Sequence, residues 1–581
     1  DTGEGVSYLT ADADAFSGAY SAKVENLSDN DARFKQTVRV EPGAMYRIAC
    51  RVMAQGVGEA EDGAGISVGD TFASSELLYD TKGAWVPVEL YGIAGEGQTE
   101  LTVMARLGGY SSTNTGTAWF DDFTMEKVDS APAGATVYDF TTLTSDGGEE
   151  DVDFSEGEED AGGDYTKLML LVALISLAIM ALTAWGGGRG ALDGLSEAAL
   201  RRLLWAAVAA GFALRAVVAV TIYGYGVDMG DFAAWGARMT VTGPSGFYAA
   251  DVFCDYPPGY MYALWAIGDL RSFLGLGYDS PLFWLILKMP AILMDLIAAI
   301  LIYTEGKKAL GERIAVLLGV LYALLPAAVM NSAAWGQIDS ILAILLALSL
   351  IKLSKGRYAA SLVFYGVAIM VKPFALALAP LGLVALAVEV YRSEQRSKTA
   401  LRILRAIGLM LLVMLVVALP FMTSLPADLL QKSKLAASAP GFLKPLAWLT
   451  SLFTGSTDTY PYITVNAANL YVLLDMNWRS LEGAGLWSLF ANLMMYLSFG
   501  YAMILYFMGK RREQLPLVAA TLVALLFAFG PMMHERYLFP AILLLGLAYI
   551  HDQDVRILAA AFLIAATQFM NSGLVLQSDH L

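Results

Sequence analysis

Hydrophobic and polar positions alternate in short runs up to about Val128, then give way to long, almost unbroken apolar stretches. The early runs include "ARFKQTVRV", "MYRIACRVMAQ", "WVPVELYGI" and "TAWFDDFTMEKV", divided by Gly, Asn and Asp turns. A two-residue period of this kind belongs to strands with one buried face. It predicts an all-β sandwich (jelly-roll) domain over residues 1–130. Residues 131–166 follow as an acidic linker; its stretch "TSDGGEEDVDFSEGEEDAGGD" has no basic residue and repels itself into solvent. Residues 167–581 then hold about twelve apolar runs, Leu168–Trp185, Leu203–Tyr223, Leu282–Tyr303, Ile314–Met330, Ile338–Leu353, Tyr358–Val371, Phe374–Val390, Leu401–Met422, Leu486–Phe507, Leu515–Phe529, Tyr537–Ile550 and Val555–Met570. Runs of this length predict an all-α polytopic membrane domain.

Composition agrees with that division. The chain has 581 residues, 56% of them hydrophobic, and a mean hydropathy of +0.54, which suits an integral membrane protein in contact with a lipid bilayer. Its net charge of −17 comes with no basic footprint, and no nucleic-acid partner is expected. Two cysteines, Cys50 and Cys254, exclude a disulfide framework and leave one bridge as the less favoured alternative to buried thiols. The chain begins at Asp1 without a leader pattern, which reads as a processed or trimmed form.

Charge in the short loops sets the topology. Arg189, Arg201 and Arg202, then Lys307, Lys308 and Arg313, then Lys352, Lys355 and Arg357, then Arg392, Arg396 and Lys398, then Lys510, Arg511 and Arg512 fall in every second connection. By the positive-inside rule these loops are cytoplasmic. The β domain and the two long loops, 224–281 and 423–485, are then extracytoplasmic, on a multi-pass protein of the plasma (cytoplasmic) membrane. The first loop has amphipathic patterning without a clean span; "LLQKSKLAASAPGFLKPLAWLTSLF" in the second reads as an interfacial helix.

The polar outliers gather at the outer ends of spans. They are Asp228 and Asp231 in "YGVDMGDFAAW", Asp255 and Tyr256 in "DYPPGY", Trp335, Gln337 and Asp339 in "NSAAWGQIDS", Lys372 in "VKP", Asn466 and Asn469 in "TVNAANLY", and His534, Glu535 and Arg536 in "HERY". Ionisable groups in an apolar region are costly and mark function more often than stability. A helix opening at "GDFAAWGARM" puts Asp231 in its first turn, where a carboxylate also serves as a cap, and Asp228 has the same alternative. Asp295, inside "ILMDLIAAI", is either a structural hydrogen-bonder or part of the site; Asn466 and Asn469 are otherwise loop amides, and Trp335 is otherwise an interface aromatic.

The order "GDF…W", "DYPP", "LILKMPAILMDLIAAILIY", "NSAAWGQIDS", "VKPFALALAP", "NAANLY" and "HERYLFP", spread from about Leu203 to Met570, resembles the GT-C superfamily of polytopic glycosyltransferases. Within it the likeness is to glucosyltransferases of lipid-linked oligosaccharide and to bacterial proteins related to GPI-anchor mannosyltransferases. The resemblance implies a polyprenyl- or dolichyl-phosphate sugar donor, an active site at the outer membrane face and inversion at the anomeric carbon. It carries the family's catalytic acid onto Asp231, its Asp-Tyr-Pro-Pro onto Asp255–Pro258, and its His-Glu-Lys type motif onto His534, Glu535 and Arg536, with Arg in place of Lys. The strands of residues 1–130 resemble carbohydrate-binding modules of bacterial glycanases; that likeness implies sugar stacking, for which Trp85 and Tyr110 are candidates, and a structural Ca2+ near the Phe120-Asp121-Asp122 strand.

The residue types suit the transfer independently. A carboxylate can take the proton of an attacking hydroxyl, and cations can take up charge on a leaving phosphate. Asp231 is therefore the expected base, with Asp228 and Asp255 orienting the acceptor or, as the lesser alternative, holding a divalent cation with it. Lys372, His534 and Arg536 would face the phosphate. The expected activity is hexose (mannose or glucose) transfer to a glycan, glycolipid or protein acceptor. A protein O-mannosyltransferase is the near alternative. A lipid-sugar transporter or flippase is the other, although its charges would sit near the bilayer midplane.

Overall fold

The computed structural model describes residues 7–578 apart from 59–61, 70, 72, 96–97, 109–113, 133–134, 141–173, 175–177, 179–189, 191, 250–251, 279, 482 and 510. Tyr110, the acidic run and nearly all of the expected span at 168–185 lie outside the described residues. The chain divides into two compact units, Asp1–Glu158 and Glu159–Leu581.

The N-terminal unit is rich in strands: β1 (Ser7–Asp12), β2 (Ser21–Asn30), β3 (Ala32–Arg39), β4 (Met45–Gln55), β5 (Ala64–Val68), β6 (Val86–Ile93), β7 (Glu100–Leu107), β8 (Asn114–Lys127) and β9 (Val137–Asp139). One sheet runs β1-β2-β8-β4-β6-β9 and the other β3-β7-β5; all pairings are antiparallel save β6 with β9. Alternation in β4 turns Ile48, Cys50 and Val52 into one apolar core with Ile66, Val103 and Leu107 of the smaller sheet. Asp31 is fully buried among them, and Arg106 Nε and Nη2 hold both of its oxygens at 2.5 and 2.6 Å. Asp121 Oδ2 accepts from Phe16 N–H (2.7 Å) and Ser17 N–H (2.9 Å), so this strand's acid closes a loop. Cys50 and Cys254 are both free thiols.

The C-terminal unit is helical: α1 (Glu197–Thr221), α2 (Gly226–Phe247), α3 (Pro258–Leu274), α4 (Pro281–Ala323), α5 (Asp339–Ser354), α6 (Tyr358–Val371), α7 (Ala379–Arg392), α8 (Arg396–Met422), α9 (Lys444–Thr459), α10 (Leu486–Met508), α11 (Leu515–Phe529), α12 (Pro540–Asp552) and α13 (Val555–Ser578). Among the described residues, seven helices are long and apolar enough to cross a membrane, fewer than the twelve runs predicted. The difference has three sources. The first run lies outside the described residues. The runs at 282–303 and 314–330 fall in one helical stretch, Pro281–Trp335, interrupted at Gly311 (φ 80°). Finally, α5, α6 and α12 have 16, 14 and 13 residues, or about 20–24 Å of helix against a hydrocarbon core of ~30 Å.

At Gly311 the chain doubles back, because Gly319 approaches Ala299 and Tyr303 of the first half. Reversals of this kind collect the basic turns at one end of the bundle. There Glu305 accepts from both Lys308 (3.1 Å) and Lys355 (2.7 Å), and Glu389 takes Arg512 Nε at 2.7 Å. The opposite end carries the polar outliers. The segment 224–281, expected to lack a clean span, contains α2, kinked at Gly243-Pro244, and α3, neither of which is among the helices long and apolar enough to cross a membrane. The predicted single helix of the second loop is three pieces, Ala427–Lys432, Lys434–Ser438 and α9, since Pro440 cannot continue a helix and Ser433 caps a new turn through Ala436 N–H (3.1 Å).

Candidate functional site

Local chain chemistry brings the outliers to one place. Helix α2 opens at Gly226, earlier than the motif suggested, so Asp228 rather than Asp231 occupies the first turn, and neither caps it. Three residues of spacing keep both acids near one face. Asp255 stands in the irregular stretch between α2 and α3. That stretch is held by Trp235 Nε1–H to Phe253 O (2.9 Å) and Tyr248 Oη–H to Tyr256 O (2.8 Å), and it ends where Pro258 starts α3 with a preset φ. Past the short helix Pro326–Val329, a six-residue π-helical turn, Met330–Trp335, terminates at Gly336 (φ 98°). A side chain at Gly336 would strike Met229 Sδ. Lys372 precedes Pro373 and is therefore extended (φ −150°), which swings it off the end of α6.

The contacts are specific. Asp228 Oδ2 accepts from Trp335 Nε1–H at 2.5 Å and lies 3.2 Å from Arg536 Nη1. Trp335 is fully buried, stacked on Tyr225 (4.7 Å, 25°) with the Arg536 guanidinium 4.8 Å from its ring centroid. Arg536 Nε donates to Glu535 Oε1 (2.6 Å), while its buried Nη1 finds no hydrogen-bond acceptor among the described residues despite the ion pair. Lys372 Nζ donates to Asp339 Oδ1 at 2.6 Å and sits 5.7 Å from the Tyr537 ring. Tyr256 Oη–H donates to Gln337 Oε1 at 3.2 Å. His534, on the strand pair β10 (Thr464–Val465) and β11 (Met533–His534), lies between the rings of Tyr460 (4.9 Å) and Tyr537 (5.0 Å).

Asp231 differs from all of these. It is half-buried and has no hydrogen bond or ion pair among the described residues. Burial, followed by the charges of Asp255 and Asp228, pushes its pKa up to about 8. Asp255 is pushed up to about 6 by burial and Asp228, against the pull of Lys372 and Arg536. His534 is pushed down by burial and by Arg536 and Lys372, so it is a neutral imidazole at pH 7. Like charges close together disfavour the ionised form, which makes the acids a responsive cluster.

No protein-family model matches the chain, and no curated protein matches it. The reading of the site therefore stands on its geometry.

Two candidates are spent elsewhere. Asn466 Oδ1 accepts from Asn477 Nδ2–H (2.8 Å) and Trp478 Nε1–H (3.0 Å), and Asn469 ties Thr464 and Tyr471 N–H (3.0 Å each), so both amides build the second loop. Asp295 accepts from Arg215, Ser332 and Ser340 and does not face the acids. Among the described residues no group of three or more His, Cys, Asp or Glu is arranged to hold a metal ion, either at the three acids or near Asp121 and Asp122. A groove of about 610 Å³ between α11, α12 and α13, lined by Gln514, Leu517, Asp552 and Arg556, includes none of the site residues.

Sequence reading did not single out Tyr460, whose hydroxyl is pushed up by burial and by Asp255, Asp228 and Asp231, nor Lys288 and Arg215 in the bundle interior. The last two carried a signal, each being a lone cation in an apolar run. Tyr460 carried none, since a loop tyrosine is unremarkable until the fold brings it beside acids.

Proposed function

We propose that the protein is an integral membrane glycosyltransferase of GT-C type. It moves a hexose, mannose or glucose, from a polyprenyl-phosphate or dolichyl-phosphate donor to an extracytoplasmic glycan, glycolipid or protein acceptor, with inversion. One observation carries this reading: a half-buried carboxylate with no partner among the described residues, Asp231, stands among groups that include two buried cations, Arg536 and Lys372, at the end of the bundle opposite the basic turns. With the basic turns taken as cytoplasmic, that end faces outward. The N-terminal strand-rich unit, taken as extracytoplasmic from the loop charges, would meet envelope glycans.

In the proposed reaction the acceptor oxygen bonds to the anomeric carbon while the bond from that carbon to the phosphate oxygen breaks. Asp231 takes the hydroxyl proton, a role worth ~10²–10⁴-fold. Arg536 presents a guanidinium edge whose Nη1 lacks an acceptor, and Lys372 a second cation, to the phosphate that departs. Asp228 aims Arg536 and Asp255 raises the proton affinity of Asp231. A base poised near the working pH transfers protons efficiently. A transporter is less well supported, because these polar groups lie at helix ends and not along a path through the bundle.

The test is transfer by the purified full chain in detergent or vesicles, supplied with synthetic polyprenyl-phosphate mannose or glucose and a panel of acceptors. Transfer or donor hydrolysis by the wild type, lost in Asp231→Asn, supports the reading. Full activity in that variant would sink the base assignment, and no turnover of either donor would sink the activity.

A further inference from the structure

The bundle interior holds charged side chains that the proposed transfer does not touch. Lys288 and Asp295 lie seven residues apart on α4, two helical turns, and so share one face. Both are fully buried, as is Arg215 of α1. Charges in a membrane interior are expensive, and a hydrophobic replacement would pack at less cost unless the charge specifies an arrangement.

We infer that Asp295 and Lys288 are positioning residues of the site, which hold Trp335, Gln337 and Asp339 in place from beneath by fastening both flanks of the segment that carries them. Asp295 Oδ2 accepts from Ser332 Oγ–H (2.6 Å), inside the π-helical turn, and Oδ1 accepts from Ser340 Oγ–H (2.6 Å), in the first turn of α5. One carboxylate thus spans the seven residues Ala333–Asp339, with Trp335, Gln337 and Asp339 among them. Arg215 fixes where that carboxylate stands: its Nε donates to Asp295 (3.1 Å), and its Nη1 donates to the carbonyls of Ala323 (2.7 Å) and Gly211 (3.2 Å). Lys288 Nζ donates to Ala333 O (2.9 Å) and to Ile222 O (2.6 Å), joining the π turn to the end of α1, and Tyr225 N–H reaches Trp335 O at 3.1 Å just before α2.

What the clamps hold is the set of partners of the reacting groups. Trp335 contacts Asp228, Gln337 contacts Tyr256, and Asp339 contacts Lys372. Past the π turn the segment runs through a left-handed glycine, Gly336, and its own backbone holds it there through Gly336 and Gln337 N–H to the one carbonyl of Asn331. Displacing reacting groups by ~1 Å costs up to ~10²-fold in rate. The effect falls on kcat, because the cations being aimed act on charge that develops as the phosphate leaves. For this kinetic consequence the inference rests on the transferase reading; for the positioning it does not.

The test uses Ser332→Ala and Ser340→Ala, singly and together, which remove one hydroxyl each and keep the Arg215–Asp295 pair. Ser349→Ala is the control, since Ser349 is a buried serine of α5 that meets Ser361 (3.3 Å) instead. The double variant should lose about 10–100-fold in kcat with little change in donor KM. Its melting temperature should fall only by the modest amount that losing two buried hydrogen bonds brings, while amide exchange read by mass spectrometry speeds up over 330–340 and 225–231 and not evenly across the bundle. Ser349→Ala should leave all four unchanged. A double variant with wild-type kcat and wild-type local exchange overturns the inference, as does one whose exchange rises evenly across the bundle with a fall in melting temperature. If the wild type turns over neither donor, the transferase reading fails and the exchange pattern alone decides the positioning.

Discussion

Arg106–Asp31 in the β unit and Arg536–Asp228 in the helical unit are both pairs of a buried arginine with an aspartate, and they differ in how the two groups meet. In the β unit Arg106 grips both oxygens of Asp31 at 2.5 and 2.6 Å. In the helical unit Arg536 meets a single oxygen of Asp228 at 3.2 Å, shares its Nε with Glu535, and leaves Nη1 without a hydrogen bond. The same residue types therefore serve opposite ends. A bidentate, fully matched pair is a finished structural element. A pair with unused bonding capacity, beside a carboxylate with no partner among the described residues, is held ready for something that arrives.

Four predictions sharpen or break that contrast, beginning with the largest. Asp231→Asn should reduce transfer by at least ~10²-fold while the protein still folds and binds donor, measured by product formation and donor titration. The same substitution should raise or preserve the melting temperature at neutral pH. The sign follows from the raised pKa: between the ordinary 3.8 and about 8 the folded chain retains a proton that the unfolded chain has lost. Stability from this group is thus greatest below that window and declines as pH rises through it, and Asn removes the decline. A melting temperature that falls at neutral pH in Asp231→Asn would class the residue with Asp31.

Asp31→Ala is the counterpart. It removes the bidentate acceptor of the buried Arg106 and should destabilise the β unit by about 3–5 kcal/mol, read as a shift in that unit's unfolding transition in the full chain. Little or no shift would erase the contrast. Third, the transfer rate should climb with pH as Asp231 loses its proton, with a midpoint near pH 8 in the kcat profile. A flat profile between pH 6 and 9 would exclude Asp231 as the titrating base. The smallest effect belongs to Tyr256→Phe, which removes one neutral hydrogen bond to Gln337, a loss of about 1 kcal/mol and less than ~10-fold in rate. A larger loss would place the hydroxyl in contact with substrate.

Much of the architecture was legible in periodicity. The strand runs stand where alternation put them, because burying one face of a pleat requires that period, and apolar length marked the membrane helices. Their number was not legible, since the separate runs on either side of Gly311 fall in one helical stretch, and neither α5 nor α6 is as long as a membrane crossing. The second loop shows the same limit: "LLQKSKLAASAP…" has a helical period throughout, yet Pro440 divides it. At the site, the acids and cations could be named individually from their cost in an apolar region. Their pairing could not, because Asp228 and Arg536 are separated by most of the helical unit.

The sequence by itself thus determined the two kinds of unit, the basic turns at alternate connections and the residue types that gather at the other end, since each follows from local period or from charge in an apolar run. Only the tertiary structure decided which acid is held and which is left free. Asp228 and Asp231 are three residues apart on one helix, and Trp335 and Arg536, more than a hundred and three hundred positions away, reach the first and not the second. Proton affinity and pairing are properties of the space around a group, and that space is built from residues remote along the chain.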